Sequence, residues 1–316
     1  MAVRTIESGD PDIGLHRFEF AAYDVTFAPS LGGRMLSLRH GGHEFLWRNP
    51  RLFDADLRVL SPRRTWPPLD GSMGSWPNPG GSKTWPAPQG WDDDDAWAGP
   101  PDPVLDTGAY SFAVEDREHS IAVEMASAAD PRTGLRITRA FDLSRVGHRF
   151  DQRITLENTS GRTITWAPWE VAQVASGAEL GIAGCGVVIP LDPPAPPVDL
   201  GSYDGVLELP PNSSEILLPI QPVIAKLGWR TAAGTIGYRF AHGGSLSLNF
   251  DPAPALPRPD DGCRVEVWMQ YPAAAPIESL GAMQPSDWLV ELEVMGPSVT
   301  LQPGASSTWS IGWEMA

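Results

Sequence analysis

Apolar and polar residues alternate with a period of two along most of the chain. Phe18, Phe20 and Ala22, then Val25 and Phe27, alternate with more polar neighbours. Ile121, Val123 and Met125 alternate with Ala122, Glu124 and Ala126, and Val265, Val267 and Met269 with Glu266, Trp268 and Gln270. Successive side chains of a strand point to opposite faces, so this pattern predicts strands. Phe150, Arg153–Leu156 and Ile164–Val174 read as long strands joined by a hairpin-like turn at Asn158-Thr159-Ser160-Gly161. Leu289–Val294 and Trp309–Trp313 close the chain as strands. About fifteen candidate strands at a spacing of roughly 8–12 residues predict a large all-β antiparallel sandwich, a single domain over residues 1–316. No stretch combines a helical period with caps, so little helix is expected.

Two stretches interrupt the rhythm. Residues 60–107 hold six prolines between Ser61 and Pro86, and the tryptophans Trp66, Trp76, Trp85, Trp91 and Trp97. A flexible linker would be rich in glycine, serine or charge, without so many indoles. Long ordered loops over a rigid sheet are where binding sites sit, so this segment is expected to wall a cleft. Residues 190–214 are also proline-rich and read as a plain loop or an edge-strand stop.

Proline (33) and glycine (32) make up about a fifth of the 316 residues, against a usual share of roughly 12%. Without a repeat period this excludes collagen and favours many short elements and turns. The formal net charge of −16 disfavours nucleic acid and anionic membrane surfaces as partners. A local basic pocket remains compatible with an anionic small molecule. Met1–Gly9 contains no apolar core of a signal peptide, and no apolar run approaches the ~20 residues that span a bilayer. The expected location is therefore cytoplasmic, with Cys185 and Cys263 as buried thiols rather than a disulfide. Monomer and homodimer both remain open, because long edge strands can pair.

Several residues carry candidate chemistry. On one strand face, Glu266, Trp268 and Gln270 would form a sugar platform. The indole stacks on the apolar face of a ring, and the amide and carboxylate bond its hydroxyls. A carboxylate shielded by tryptophan has a raised pKa, which suits a general base. The same periodicity is equally consistent with a solvated outer face. On the strand 164–174, Trp169, Val171 and Gln173 share one face and Glu170 and Ala172 the other; Trp166 and Trp169 as plain core residues is the competing reading. In the segment Asn78–Gln89, two glycines permit close backbone approach to a ligand. Lys83 there would either pair with an acidic residue or meet an anionic group of the substrate. Gly80-Gly81-Ser82-Lys83-Thr84 lacks the spacer and the strand–helix context of a phosphate-binding loop. Asp92–Asp95 reads as a solvated acidic turn in preference to a calcium site. His40 and His43 have a loose metal-like spacing without a third ligand, and no metal site is expected.

Four segments in chain order carry a resemblance. They are Leu31–Leu38 followed by Gly42–Leu46, Asn78–Gln89, Cys263–Pro272, and Leu301-Gln302-Pro303-Gly304 followed by Trp309. Together they resemble the galactose-mutarotase-like superfamily of aldose and hexose-6-phosphate epimerases, in a poorly characterised branch. The resemblance implies a β-supersandwich with a carbohydrate in an open cleft and no cofactor. It places the catalytic glutamate at Glu266. A histidine that protonates the ring oxygen in active mutarotases is matched by Trp169 instead, which leaves Lys83 or one of the scattered histidines to act as the acid. Trp85, Trp169 and Trp268 would be stacking walls, and Arg34, Lys83, Gln89, Gln173 and Gln270 polar anchors. Three functions follow as expectations: a mutarotase-like isomerase, a non-catalytic carbohydrate-binding protein, or a lyase or isomerase of a non-sugar metabolite.

Overall fold

The structure, a computed structural model, describes residues 2–90, 96–252 and 256–316, so the Asp92–Asp95 run lies outside the described residues. The first strands are β1 (Ala2–Ile6), β2 (Leu15–Glu19), β3 (Tyr23–Ala28), β4 (Arg34–His40), β5 (His43–Glu44) and β6 (Ser82–Ala87). Then come β7 (Ser111–Asp116), β8 (Ser120–Ala126), β9 (Leu135–Ser144), β10 (Arg149–Asn158) and β11 (Ile164–Ala175). The middle of the chain adds β12 (Gly186–Pro190), β13 (Val198–Asp204), β14 (Glu215–Leu218), β15 (Ile224–Trp229), β16 (Thr235–Arg239) and β17 (Ser245–Phe250). Last are β18 (Val265–Gln270), β19 (Leu289–Met295), β20 (Val299–Leu301) and β21 (Ser306–Met315). Helix among the described residues is confined to three-residue 3-10 turns, and none is long or apolar enough to cross a membrane.

The strands form two antiparallel sheets. The larger runs β1-β2-β3-β4-β6-β11-β19-β18-β15-β13, with β5 beside β4 and β20 beside β11. The smaller runs β14-β12-β16-β17-β21-β10-β9-β8-β7. Strand β9 alternates buried and half-buried residues along its whole length, the pattern of a sheet with one face on the core and one toward water. The core between the sheets takes Val265, Val267 and Met269 of β18 together with Ile154, Leu156 and Trp313 from the smaller sheet.

The larger sheet departs from that pattern at its centre. Every residue of β6 and β19 is buried, on both faces. The loops before β6 and after β18 cover the outer face, and the polar side chains of these strands are enclosed there. Glutamate is almost never fully buried unless it is paired, so Glu266, Glu291 and Glu293 at this centre must find partners.

Two expectations are corrected here. Asn158–Gly161 does not close a hairpin, since β10 belongs to the smaller sheet and β11 to the larger. It is a corner between layers: the Asn158 amide donates to Arg162 and Leu301 carbonyls, and its oxygen receives the Ser160 amide and hydroxyl. Residues 190–214 are not a plain loop either, because β13 lies within them and forms the edge of the larger sheet. Both cysteines are free and buried.

Across the core, Glu170 faces inward and ties the sheets together. Arg139 of β9 meets its Oε1 at 2.6 Å, Ser82 donates to the same oxygen, and Gln152 and Thr84 donate to Oε2. All five side chains are buried.

Candidate functional site

The outer face of the larger sheet carries a cleft of about 280 Å³. Register sets its floor. Trp85 lies opposite Trp169, Lys83 opposite Val171, and Gln173 opposite Glu291, across β6, β11 and β19. Glu293 lies opposite Glu266, and Glu266 in turn opposite Gly228, across β19, β18 and β15. Because each strand alternates, these residues emerge on one face. The loops add Met73, Trp76, Asn78, Leu280 and Met283, and β13 adds Leu200 and Tyr203.

Gly80 and Gly81 allow β6 to enter this position. Both have positive φ, and a Cβ would lie 2.4 Å from the Trp47 carbonyl oxygen at Gly80 and 2.3 Å from that of Met35 at Gly81. Any larger residue would push Lys83 and Trp85 away from the floor.

Two charged groups make up the floor. In the first, the Lys226 ammonium lies 2.7 Å from Glu266 Oε2 and 3.2 Å from Glu293 Oε2. It also stands 4.3 Å above the Trp169 ring, whose Nε1 donates to Glu293 Oε2 at 2.8 Å. Glu266 is fully buried, and neither of its oxygens receives an aligned hydrogen bond. Burial, joined by the charges of Glu293 and Asp260, raises the Glu266 pKa well above the usual carboxylate range against the opposing pull of Lys226. Burial raises Glu293 as well, with Glu291 adding to it. Burial would lower Lys226, but Glu266 and Glu293 outweigh it and raise the lysine. One ammonium faces two carboxyls. The arrangement that leaves least uncompensated charge keeps Lys226 protonated and one proton on the Glu266–Glu293 pair.

In the second group, Lys83 donates to Glu291 Oε1 at 2.9 Å and Gln173 Nε2 donates to the same oxygen at 2.6 Å. The Lys83 ammonium lies 4.6 Å from the Trp85 ring centre and 5.5 Å from that of Trp76. Burial brings its pKa down to about 8, opposed by Glu291 and aided by Arg34.

Behind the indole wall, Asp106 accepts from Trp76 Nε1 at 2.7 Å and Trp85 Nε1 at 3.1 Å, and pairs with Arg34 at 2.5 Å. Asp106 and Arg34 are wholly buried.

Of the residues singled out from the sequence, Trp85, Gln89, Trp169, Gln173, Trp268 and Gln270 line the cleft. Trp268 donates to Gln270, which donates to the Asp287 carbonyl. Arg34 is corrected as a direct anchor: its guanidinium is spent on Asp106 and the Gly80 carbonyl, one layer behind. Lys83 and Glu266 lie beneath the surface, against Glu291 and Lys226, rather than on it. The reading of the β18 outer face as solvated is excluded by the complete burial of Glu266. None of the histidines lines the cleft. His16 stacks on Phe112, His43 on His242, and His40 meets the Ala22 carbonyl. Among the described residues no cluster of three or more His, Cys, Asp or Glu could hold a metal ion.

The sequence reading missed Lys226, Glu291, Glu293 and Asp106. Two signals were present. The chain has only two lysines, and both fold into this floor. Strand Leu289-Val290-Glu291-Leu292-Glu293-Val294-Met295 places two glutamates inside an otherwise apolar run.

No protein-family profile matches the chain, and no curated protein matches it in sequence. Solved structures match in fold. A galactose mutarotase-like protein from Lactobacillus casei superposes with a TM-score of 0.57 at 13% identity, over 96% of this chain and 100% of that one. A candidate aldose 1-epimerase from Klebsiella pneumoniae gives 0.60 at 10% identity, over 96% and 79%. A TPR-domain containing protein from Parabacteroides distasonis gives 0.61 at 13% identity; this chain is 96% covered but spans only 47% of that one. The all-β fold is thus that of the galactose mutarotase-like proteins.

Proposed function

We propose that this chain binds a sugar or sugar derivative in the cleft and interconverts its anomers by acid–base proton transfer, with no cofactor. The observation that carries the reading is the pairing of an indole wall with a floor of coupled carboxyls. Trp76 and Trp268, both half-buried, offer stacking faces in front of the buried Trp85 and Trp169, and Gln89, Gln173 and Gln270 offer amides for hydroxyls. Glu293 is the member of the Glu266–Glu293 pair that lines the cleft. Its shared proton supplies an acid for the ring oxygen, and Glu291, the second carboxylate on the cleft wall, accepts the proton of the anomeric hydroxyl. The C1–ring oxygen bond then breaks as the carbonyl forms, and closure on the other face gives the other anomer. Glu266 serves as the partner that holds the pair's proton, rather than as the sole base.

NMR exchange spectroscopy on a panel of reducing sugars tests this. Wild type accelerates anomeric exchange of at least one sugar, and Glu293→Gln lowers that rate by roughly 10²–10⁴-fold, the usual contribution of a positioned acid or base. Inert wild type on every sugar overturns the catalytic reading.

A second reading has a specific observation in its favour. Trp169 takes the place where the resemblance expects a histidine, and it uses its N–H to hold Glu293. A protein that binds the sugar without turning it over would show saturable binding with no acceleration of exchange.

A further inference from the structure

Among the described residues, the cleft holds spare acceptors and no spare cation. Each ammonium charge is balanced: Lys226 by the proton-sharing Glu266–Glu293 pair, and Lys83 by Glu291. The N–H groups of the four lining indoles are taken by Glu293, Asp106 and Gln270. Three acceptors are left over. Gln173 is wholly buried, and its Oε1 meets no donor, since its amide nitrogen is turned to Glu291. Glu291 receives both Lys83 and Gln173 on Oε1, which leaves Oε2 without a donor. The half-buried Asp260 lines the cleft with no donor on either carboxylate oxygen.

The turn that delivers Asp260 is unusual. Asp260, Asp261 and Gly262 are consecutive left-handed residues, with φ of 50°, 60° and 82°. Such a run is costly for residues that carry a Cβ. Here it sends the two aspartates to different partners. The Asp261 carboxylate faces the Arg230 guanidinium at 3.5 Å, and its carbonyl accepts from Arg230 Nε at 2.6 Å. Asp260 goes to the cleft instead, close enough for its charge to raise the proton affinity of both Lys226 and Glu266. Since the two lysine groups are each neutral as a unit, the charge of Asp260 is the one left uncompensated.

Resting on the reading of the cleft as a sugar site, we infer that the ligand carries a protonated amine: a hexosamine whose ammonium is bound by Asp260. An ammonium has three donors and no acceptor, so it supplies what the unpaired carboxylate lacks. A hydrogen bond between two charged groups is about twice as strong as one between neutral groups, which favours the amine over a hydroxyl at the same carbon. A phosphorylated or carboxylated sugar would bring another anion to this wall and find no free cation, so the same arrangement rejects it. The hydroxyls of the ring serve the remaining acceptors, Gln173 Oε1 and Glu291 Oε2.

Isothermal titration calorimetry at about pH 6, where the amine is charged, tests the inference with glucose, galactose, glucosamine, galactosamine and glucose 6-phosphate. At least one hexosamine binds tenfold or more tightly than its parent hexose, and added salt reduces the gain. Asp260→Asn brings the ratio close to one. Asparagine tolerates a left-handed backbone, so the variant keeps the turn. Should it fail to fold, wild type decides the matter, because the gain must fade as the pH is raised through the titration of the amine. A hexosamine bound no more tightly than its hexose, a gain unchanged in folded Asp260→Asn or at high pH, or tightest binding of glucose 6-phosphate overturns the amine inference alone. Failure of every sugar to bind overturns it together with the sugar reading of the cleft.

Discussion

Glu266 and Glu293 lie directly opposite one another on β18 and β19, and the ammonium of Lys226 reaches both, at 2.7 and 3.2 Å. This places three ionisable groups in a space that balances only one pair of full charges. The consequence is a pH dependence of stability with a definite sign. The folded-state pKa of Glu266 is raised above its unfolded value. Its neutral form therefore favours folding fully at pH below the unfolded value of about 4.3, and that contribution is lost as pH rises toward the folded pKa. Glu266→Gln stays neutral throughout. Relative to wild type its unfolding free energy should gain with rising pH, at up to about 1.4 kcal/mol per pH unit within that window, and level off above it. Urea unfolding of both proteins from pH 4 upward checks this, and a constant difference across the range would contradict a shared proton.

The chain offers an uncluttered titration, because its two lysines are both in the floor. Selective labelling of lysine Nζ should give two NMR resonances. One, lost in Lys83→Arg, titrates near 8, because burial lowers Lys83. The other, lost in Lys226→Arg, stays protonated through that range, because Glu266 and Glu293 raise it. Coincident titration of the two would show that the floor is not built as described.

Stability and ligand binding should separate between the two faces of β11. Glu170 faces the core and holds Arg139. Glu170→Ala leaves a buried, unpaired guanidinium and should cost about 3–5 kcal/mol by chemical denaturation. The double replacement Glu170→Leu with Arg139→Leu removes both charges and should cost less than Glu170→Ala alone. A double variant as unstable as the single one would show that the loss is one of packing rather than of stranded charge.

On the outer face the indoles should divide in the same way. Trp268 is half-buried and lines the cleft, so Trp268→Ala should weaken sugar binding by roughly tenfold, the value of a lost stacking contact of about 1.4 kcal/mol, with little change in Tm. Trp85 is 3% exposed and hydrogen-bonded to Asp106. Trp85→Ala should instead destabilise the fold by about 3–5 kcal/mol. Tryptophan fluorescence titration and thermal melts on the same samples distinguish the two effects.

Much of the strand content was legible because alternation is a local property. Which face Glu266, Trp268 and Gln270 share follows from the pleat alone, and so does the opposition of Gln173 to Glu170. The corner at Asn158 was not legible, since a tight turn between two alternating segments looks the same whether the strands pair or part. Nor was β13, where prolines surround a short strand that owes its place to pairing with β15.

The sequence by itself determined an all-β chain, the in-and-out pattern of each strand, and the density of indoles in and around β6. Only the tertiary structure decided which faces meet. Pairing in the larger sheet runs β6-β11-β19-β18-β15, joining residues more than two hundred positions apart, as in the contact of Lys83 with Glu291. A side-chain period fixes direction within a strand but carries no information about its neighbour in the sheet. The pairing of Lys226 with two glutamates and the burial that shifts their proton affinities are properties of strand order and loop packing.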